Sequence, residues 1–87
     1  MTPQTSAAPP AARQHPLIEL REKAGLTRTE LCRRSGASYD SVSDLEGGRR
    51  QRVGHAIAPA AAFLGVELAE LERQHQAWRA ELQEGAS

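Results

Sequence analysis

The chain has 87 residues, no net charge at neutral pH and only 3% aromatic residues. We expect one small domain with tails and a core of Leu, Ala, Val and Ile, because a chain of this length holds a single core and no deep catalytic cleft. No apolar stretch approaches the ~20 residues that cross a bilayer, which predicts a cytoplasmic protein without membrane contact. A single cysteine, Cys32, excludes an intramolecular disulfide, and His15, His55 and His75 lack the spacing of zinc ligands. We therefore expect no metal and no cofactor.

The charges are distributed unevenly along the chain. Between Arg13 and Arg52, nine basic residues face six acidic ones, which leaves an excess of +3. From Val53 onward, two basic residues face five acidic ones, which leaves −3. The central part therefore has the basic character of a nucleic-acid-binding surface, whereas the C-terminal part should avoid a polyanion.

The N-terminal residues 1–14 are rich in Pro, Ala, Ser and Thr and contain almost nothing to bury. They predict a disordered arm, because no burial would offset the entropy lost on ordering. A first helix begins at Pro16 and ends before Gly25, since proline suits the first helical turn and glycine suits a C-terminal cap. The apolar side chains on its inner face are Leu17, Leu20 and Ala24.

Two short helices joined by a tight turn follow. Thr27 and Glu30 have the spacing of a capping box, which starts the second helix, and Gly36 ends it. Ser38 caps a third helix that runs to about Glu46 and closes at a pair of glycines. The residues that face inward from these helices are Leu31, Cys32, Val42 and Leu45.

The last third of the chain predicts two more helices. The fourth spans Ala56 to Leu64 and tolerates Pro59 if its N-cap lies at Ala56 or later, because the amide that proline lacks then has no helical partner. Its core stripe consists of Ile57, Ala60, Ala61 and Leu64. The fifth spans about Glu67 to Leu82. Its apolar positions alternate at spacings of three and four, namely Leu68, Leu71, His75, Trp78 and Leu82.

This pattern on the fifth helix is a short heptad seam, which predicts a two-fold homodimer. If His75 met its symmetry mate there, its protonation would weaken the association. The alternative is that the helix folds back over Ile57 and Phe63 of its own chain, because a seam of little more than two heptads is marginal alone.

The second and third helices together meet the requirements of a helix-turn-helix, predicted over about Thr27 to Glu46. Such a motif needs small residues where its helices cross, a tight turn and a second helix whose outer face is free. Cys32 and Gly36 are the small residues at the crossing and the turn. The residues left pointing outward are Tyr39, Asp40, Ser41 and Asp44. A helix exposed in this way reads base edges in the major groove of double-stranded DNA.

A combined pattern of short stretches extends beyond this motif. It comprises Leu20-Arg21, Gly25-Leu26-Thr27, Glu30-Leu31-Cys32, Ser35-Gly36-Ala37-Ser38, Val42-Ser43, the run from Leu45 to Arg50, and Phe63-Leu64-Gly65-Val66 with Leu68, Glu70 and Leu71. The pattern covers about Leu17 to Leu71 and resembles the phage-repressor, Cro/C1-type (XRE) helix-turn-helix family. The resemblance implies an all-α, five-helix domain that binds a palindromic operator as a homodimer and represses transcription at the nucleoid. A phage repressor, an antitoxin and a host regulator all fit it.

The resemblance also implies roles for individual residues. Arg21 and Glu46 stand where the family has a buried ion pair that joins the first and third helices. The residues at phosphate-contacting places are Arg28, Ser43, Arg49, Arg50 and Arg52. Those at base-reading places are Tyr39, Asp40 and Asp44, with Ser41 beside them. Two aspartates depart from the pattern, because phosphates repel carboxylates that do not accept a hydrogen bond from a cytosine amino group.

We divide the chain into an arm (1–14), a helix-turn-helix domain (15–66) and a C-terminal dimerisation helix with a short tail (67–87). An inert arm is favoured over a minor-groove contact from Arg13.

The alternative function is a protein-interaction module on the same fold, such as an antitoxin or adaptor that binds a partner protein, for example a toxin. The surface for that partner would consist of Tyr39, the aspartates and the acidic fifth helix. No nucleophile with a base and an orienting partner is evident, so we expect no enzymatic activity.

Overall fold

The structure, a computed structural model, describes residues 14–86. All the regular secondary structure in this range is helical and there is no strand in it, which confirms the all-α prediction. The five α-helices within it are α1 (Pro16–Lys23), α2 (Arg28–Ser35), α3 (Tyr39–Glu46), α4 (Ala58–Leu64) and α5 (Leu68–Ala86), and a 3₁₀ helix (His55–Ile57) precedes α4. The arm predicted over 1–14 lies outside the described residues except for its last position.

The predicted starts and stops of α2 and α3 are confirmed. Thr27 Oγ1 accepts a hydrogen bond from the Glu30 amide at 3.1 Å, and Glu30 Oε1 accepts one from the Thr27 amide at 3.0 Å. This reciprocal pair satisfies amides that have no partner inside the helix. Gly36 ends α2 with a φ of 86°, a left-handed conformation that favours glycine. Ser38 Oγ then accepts from the Ser41 amide and caps α3.

The start of α1 has a cap that the sequence did not indicate. His15 precedes the helix, and its Nδ1 accepts a hydrogen bond from the Leu17 amide at 2.9 Å. The expected inner position of Ala24 was wrong, since α1 ends at Lys23 and Ala24 is exposed in the following turn. Leu26, just beyond that turn, is buried instead.

One hydrophobic core receives side chains from all five helices. Its largest fully buried members are Leu17, Leu31, Val42, Leu45, Val53, Ile57 and Leu71. Cys32 is buried beside them, and this burial raises the pKa of its thiol. A buried, protonated thiol behaves as a small apolar group, as its position in the helix crossing predicted.

The fourth helix begins later than predicted. Its N-cap is Ile57 and Pro59 is its second residue, where a missing amide leaves no helical hydrogen bond unmade. The turn before it, His55–Ile57, is 3₁₀ rather than α-helical. Three of the expected core residues, Ile57, Ala60 and Ala61, are fully buried, and Leu64 is partly buried against them.

The seam predicted on α5 lies inside the single chain. Leu71 and His75 are fully buried and Trp78 is 5% exposed, because α5 packs across α1 and α4. A dimer built on these three side chains would have to take them out of the core. Leu68 and Leu82 at the ends of the seam are partly buried. Phe63, which the intramolecular alternative placed under α5, is instead 46% exposed.

None of the described helices is long and apolar enough to span a membrane.

Candidate nucleic-acid interface

The outer face of α3 is polar and accessible. Val42 and Leu45 anchor the opposite face of this helix in the core. Tyr39 is 48% exposed, Asp40 is exposed, and Ser41, Ser43 and Asp44 are partly exposed. The helix therefore presents donors and acceptors outward from a rigid apolar base, which is the arrangement that entry into a DNA groove requires.

A buried carboxylate joins the two helices of the motif to α1. The side chain of Glu46 is fully buried at the end of α3. Arg21 Nε donates to Glu46 Oε2 at 2.8 Å, and Arg28 Nε donates to Glu46 Oε1 at 2.9 Å. Arg21 also donates to the carbonyl of Leu26 at 3.2 Å. The structure thus brings together Arg21 and Glu46, as the sequence pattern implied, and adds Arg28 as a second cation on the same carboxylate.

Arg28 is held by contacts within the domain, and its side chain is 31% exposed. Besides Glu46, its guanidinium donates to Ser43 Oγ at 3.3 Å and lies 5.6 Å from the centroid of the Tyr39 ring. The hydrogen bond to Glu46 is the main cause that raises the pKa of Arg28. Because these contacts occupy several of its donors, Arg28 is placed to orient Tyr39 and Ser43 on the exposed face of α3.

Asp44 has a cationic partner that was not predicted. Arg49 Nε donates to Asp44 Oδ1 at 3.0 Å, and Arg49 also donates to the carbonyl of Ser43 at 3.2 Å. The side chains of Arg49 and Asp44 are 60% and 49% exposed. The glycine turn after α3 brings Arg49 back over the helix end, a geometry that helical spacing does not reveal. An adjacent guanidinium offsets the repulsion that a lone carboxylate would meet near phosphates.

The segment after α3, residues 49–53, is here called the basic loop. Arg49 and Arg52 are exposed and Arg50 is partly exposed. Arg49 contacts Asp44 on the outer face of α3, and the other two arginines follow it in the chain. Arg52 forms an exposed contact of 3.4 Å with Glu72 of α5. Side chains of α5 also bind the main chain of the loop, a connection between distant segments that the sequence pattern did not indicate.

A turn between two short helices, a buried base under the second and an exposed polar face above it define a helix-turn-helix domain. The chain belongs to the helix-turn-helix domain family, whose sequence profile matches residues 17–74. The match includes α1 to α4, the basic loop and the first part of α5. No curated protein and no solved structure matches the chain. The family is a DNA-binding one, which agrees with the exposed face of α3.

Proposed function

We propose that the chain is a sequence-specific regulator of transcription that binds double-stranded DNA and acts as a repressor of the Cro/C1 type. The observation that carries the proposal is the outer face of α3, which exposes Tyr39 and Asp40 and, at its C-terminal end, pairs Asp44 with Arg49 of the basic loop. Such an arrangement lets α3 enter the major groove while the arginines contact the flanking phosphates. The buried Glu46 and its two arginines set the angle between α2 and α3 that this entry needs.

The phosphate contacts are assigned to the basic loop. Each phosphate that a protein neutralises changes the slope of log affinity against log salt by about 0.9. We expect Arg50→Ala with Arg52→Ala to weaken binding to every sequence and to reduce the slope by about 1.8. The matched control is Lys23→Ala with Arg73→Ala, which removes the same charge from the groove between α1 and α5. Equal slopes for the loop variant, the control and the wild type would contradict the assignment.

Base reading is assigned to Tyr39, Asp40 and Asp44. We expect Asp44→Ala to relax discrimination at one base pair by about 1–3 kcal/mol if its carboxylate accepts from a cytosine amino group. The substitution also releases Arg49, so binding to unrelated sequences should tighten while discrimination falls. Selection from a random duplex pool measures both effects, and an unaltered profile of selected sequences would count against this role.

The same selection tests the symmetry of the operator. If two copies bind side by side, the selected sequences contain inverted half-sites about 10 base pairs apart, centre to centre. A single asymmetric site indicates a monomer. A chain that binds no duplex even at low salt would favour a protein-interaction role for this fold.

A further inference from the structure

The carbonyl group of Arg50, in the middle of the basic loop, is bound by two side chains of α5. His75 Nε2 lies 3.1 Å from this oxygen and Arg79 Nη1 donates to it at 3.0 Å. The guanidinium donor is charged, which makes its hydrogen bond stronger than a bond between neutral groups. Both lone pairs of this carbonyl therefore have partners on α5, and these two side chains lie 25 and 29 residues further along the chain.

Two further bonds join α5 to the main chain of the loop. Gln76 Nε2 donates to the carbonyl of Gln51 at 2.7 Å. The amide of Val53, at the end of the loop, donates to Glu72 Oε1 at 2.8 Å. The loop has no regular secondary structure of its own. The side chains of α5 therefore supply hydrogen-bond partners for main-chain groups that a sheet or a helix would otherwise satisfy.

The buried His15 sets the direction of the His75 hydrogen bond. His15 Nδ1 accepts from the Leu17 amide, so the ring proton of a neutral His15 is on Nε2. This proton points at His75 Nδ1, 2.9 Å away. A neutral His75 must then carry its own proton on Nε2, which faces the carbonyl of Arg50. Burial lowers the pKa of both histidines and so favours these neutral forms.

We propose that four side chains of α5 position the basic loop for the phosphate backbone of DNA. These side chains, Glu72, His75, Gln76 and Arg79, are here called the α5 clamp. A loop held in place before DNA arrives does not have to be ordered during binding, and this raises affinity without any new contact. The inference rests on the proposed function and gives α5 a role in DNA binding that needs no second copy of the chain.

The clamp is tested with a pair of matched double variants on α5. Gln76→Ala with Arg79→Met removes two donors to the loop, because methionine has no hydrogen-bond donor. Gln74→Ala with Arg73→Met removes the same residue types and the same charge from the same helix, but those side chains bind Glu70 instead. Amide hydrogen exchange of the basic loop is measured in the free protein. Affinity for a mixed-sequence duplex is measured by fluorescence anisotropy over a range of salt concentrations.

We expect the clamp variant to exchange the Val53 amide, the loop amide that α5 binds, about 10-fold faster than the wild type and to bind the duplex about 5-fold more weakly. The control should stay within about 2-fold of the wild type in both measurements. Unchanged loop exchange in the clamp variant would overturn the proposal. Faster exchange with unchanged affinity would also overturn it, because the loop geometry would then not matter to DNA. A wild type that binds no duplex contradicts the proposed function itself and is recognised before any variant is compared.

A second comparison applies if the double variant does not fold. His75→Leu removes the donor to the Arg50 carbonyl at similar volume, whereas the amide of His75→Gln can restore it. We expect the leucine variant to show the faster loop exchange and weaker binding, and the glutamine variant to recover both. Equal behaviour of the two variants would overturn the positioning role of His75.

Discussion

The buried histidine pair predicts that mild acid weakens the fold. Burial first, and then the nearby His75, lower the pKa of His15 to about 3, whereas a histidine in the unfolded chain has a pKa of about 6.5. Between these two values the unfolded state binds a proton that the folded state does not bind. The stabilisation is therefore fully present above about pH 6.5 and is lost progressively as the pH falls toward 3. Burial lowers the pKa of His75 in the same direction.

The expected loss follows from the size of this difference. A pH of about 5 is roughly 1.5 units below the pKa of histidine in the unfolded chain, and each unit changes the free energy of unfolding by about 1.4 kcal/mol. His15 alone should therefore lower the free energy of unfolding by about 2 kcal/mol between pH 7.5 and 5. Carboxylates contribute little over this range, because their usual pKa values of about 4 lie below it.

Urea unfolding at about pH 7.5 and about pH 5 measures the loss in the wild type, His15→Asn and His55→Asn. Asparagine at position 15 can still cap α1 but does not titrate. We expect the His15 variant to lose most of the pH dependence, and the variant of the exposed His55 to keep it. A wild type of equal stability at both pH values, or a His15 variant with the full dependence, would refute the reasoning.

Three further predictions concern stability. Trp78→Ala should lower the free energy of unfolding by about 3–5 kcal/mol, because this side chain is buried within one chain. Urea unfolding measures this loss, and sedimentation should show no change in association state. Glu46→Ala should cost about 3–5 kcal/mol, since it leaves two arginines without their buried carboxylate, whereas Asp44→Ala, at an exposed ion pair on the same helix, should change stability by less than about 1 kcal/mol. Thr27→Ala should cost about 1 kcal/mol through loss of the α2 cap, visible as a lower thermal midpoint.

Each of these predictions has a result that would contradict it. A Trp78 variant with wild-type stability but a lower association state would return this side chain to a dimer interface. Similar losses for the buried and exposed ion pairs would mean that burial does not govern the energetics of α3. An unchanged midpoint for the Thr27 variant would mean that tertiary packing alone holds the start of α2.

The amino-acid sequence by itself determined the local structure of the domain. The caps at Thr27, Gly36 and Ser38 involve hydrogen bonds within a few residues, so residue type and spacing were enough to predict them. The inner position of Val42 and Leu45, and with it the exposed face of α3, followed from helical periodicity.

Only the tertiary structure decided what the helices pack against and which polar groups they hold. A heptad pattern fits an intermolecular seam and an intramolecular one equally well, and the burial of Trp78 against His15 and Gly48 of its own chain selected the second. His15 meets His75 across 60 residues, and Asp44 meets Arg49 only because the chain turns back after α3. Contacts of this kind depend on how distant segments approach each other in space. The spacing of residues along the chain does not indicate which distant segments come together, so the partners of the basic loop could not be predicted from the sequence.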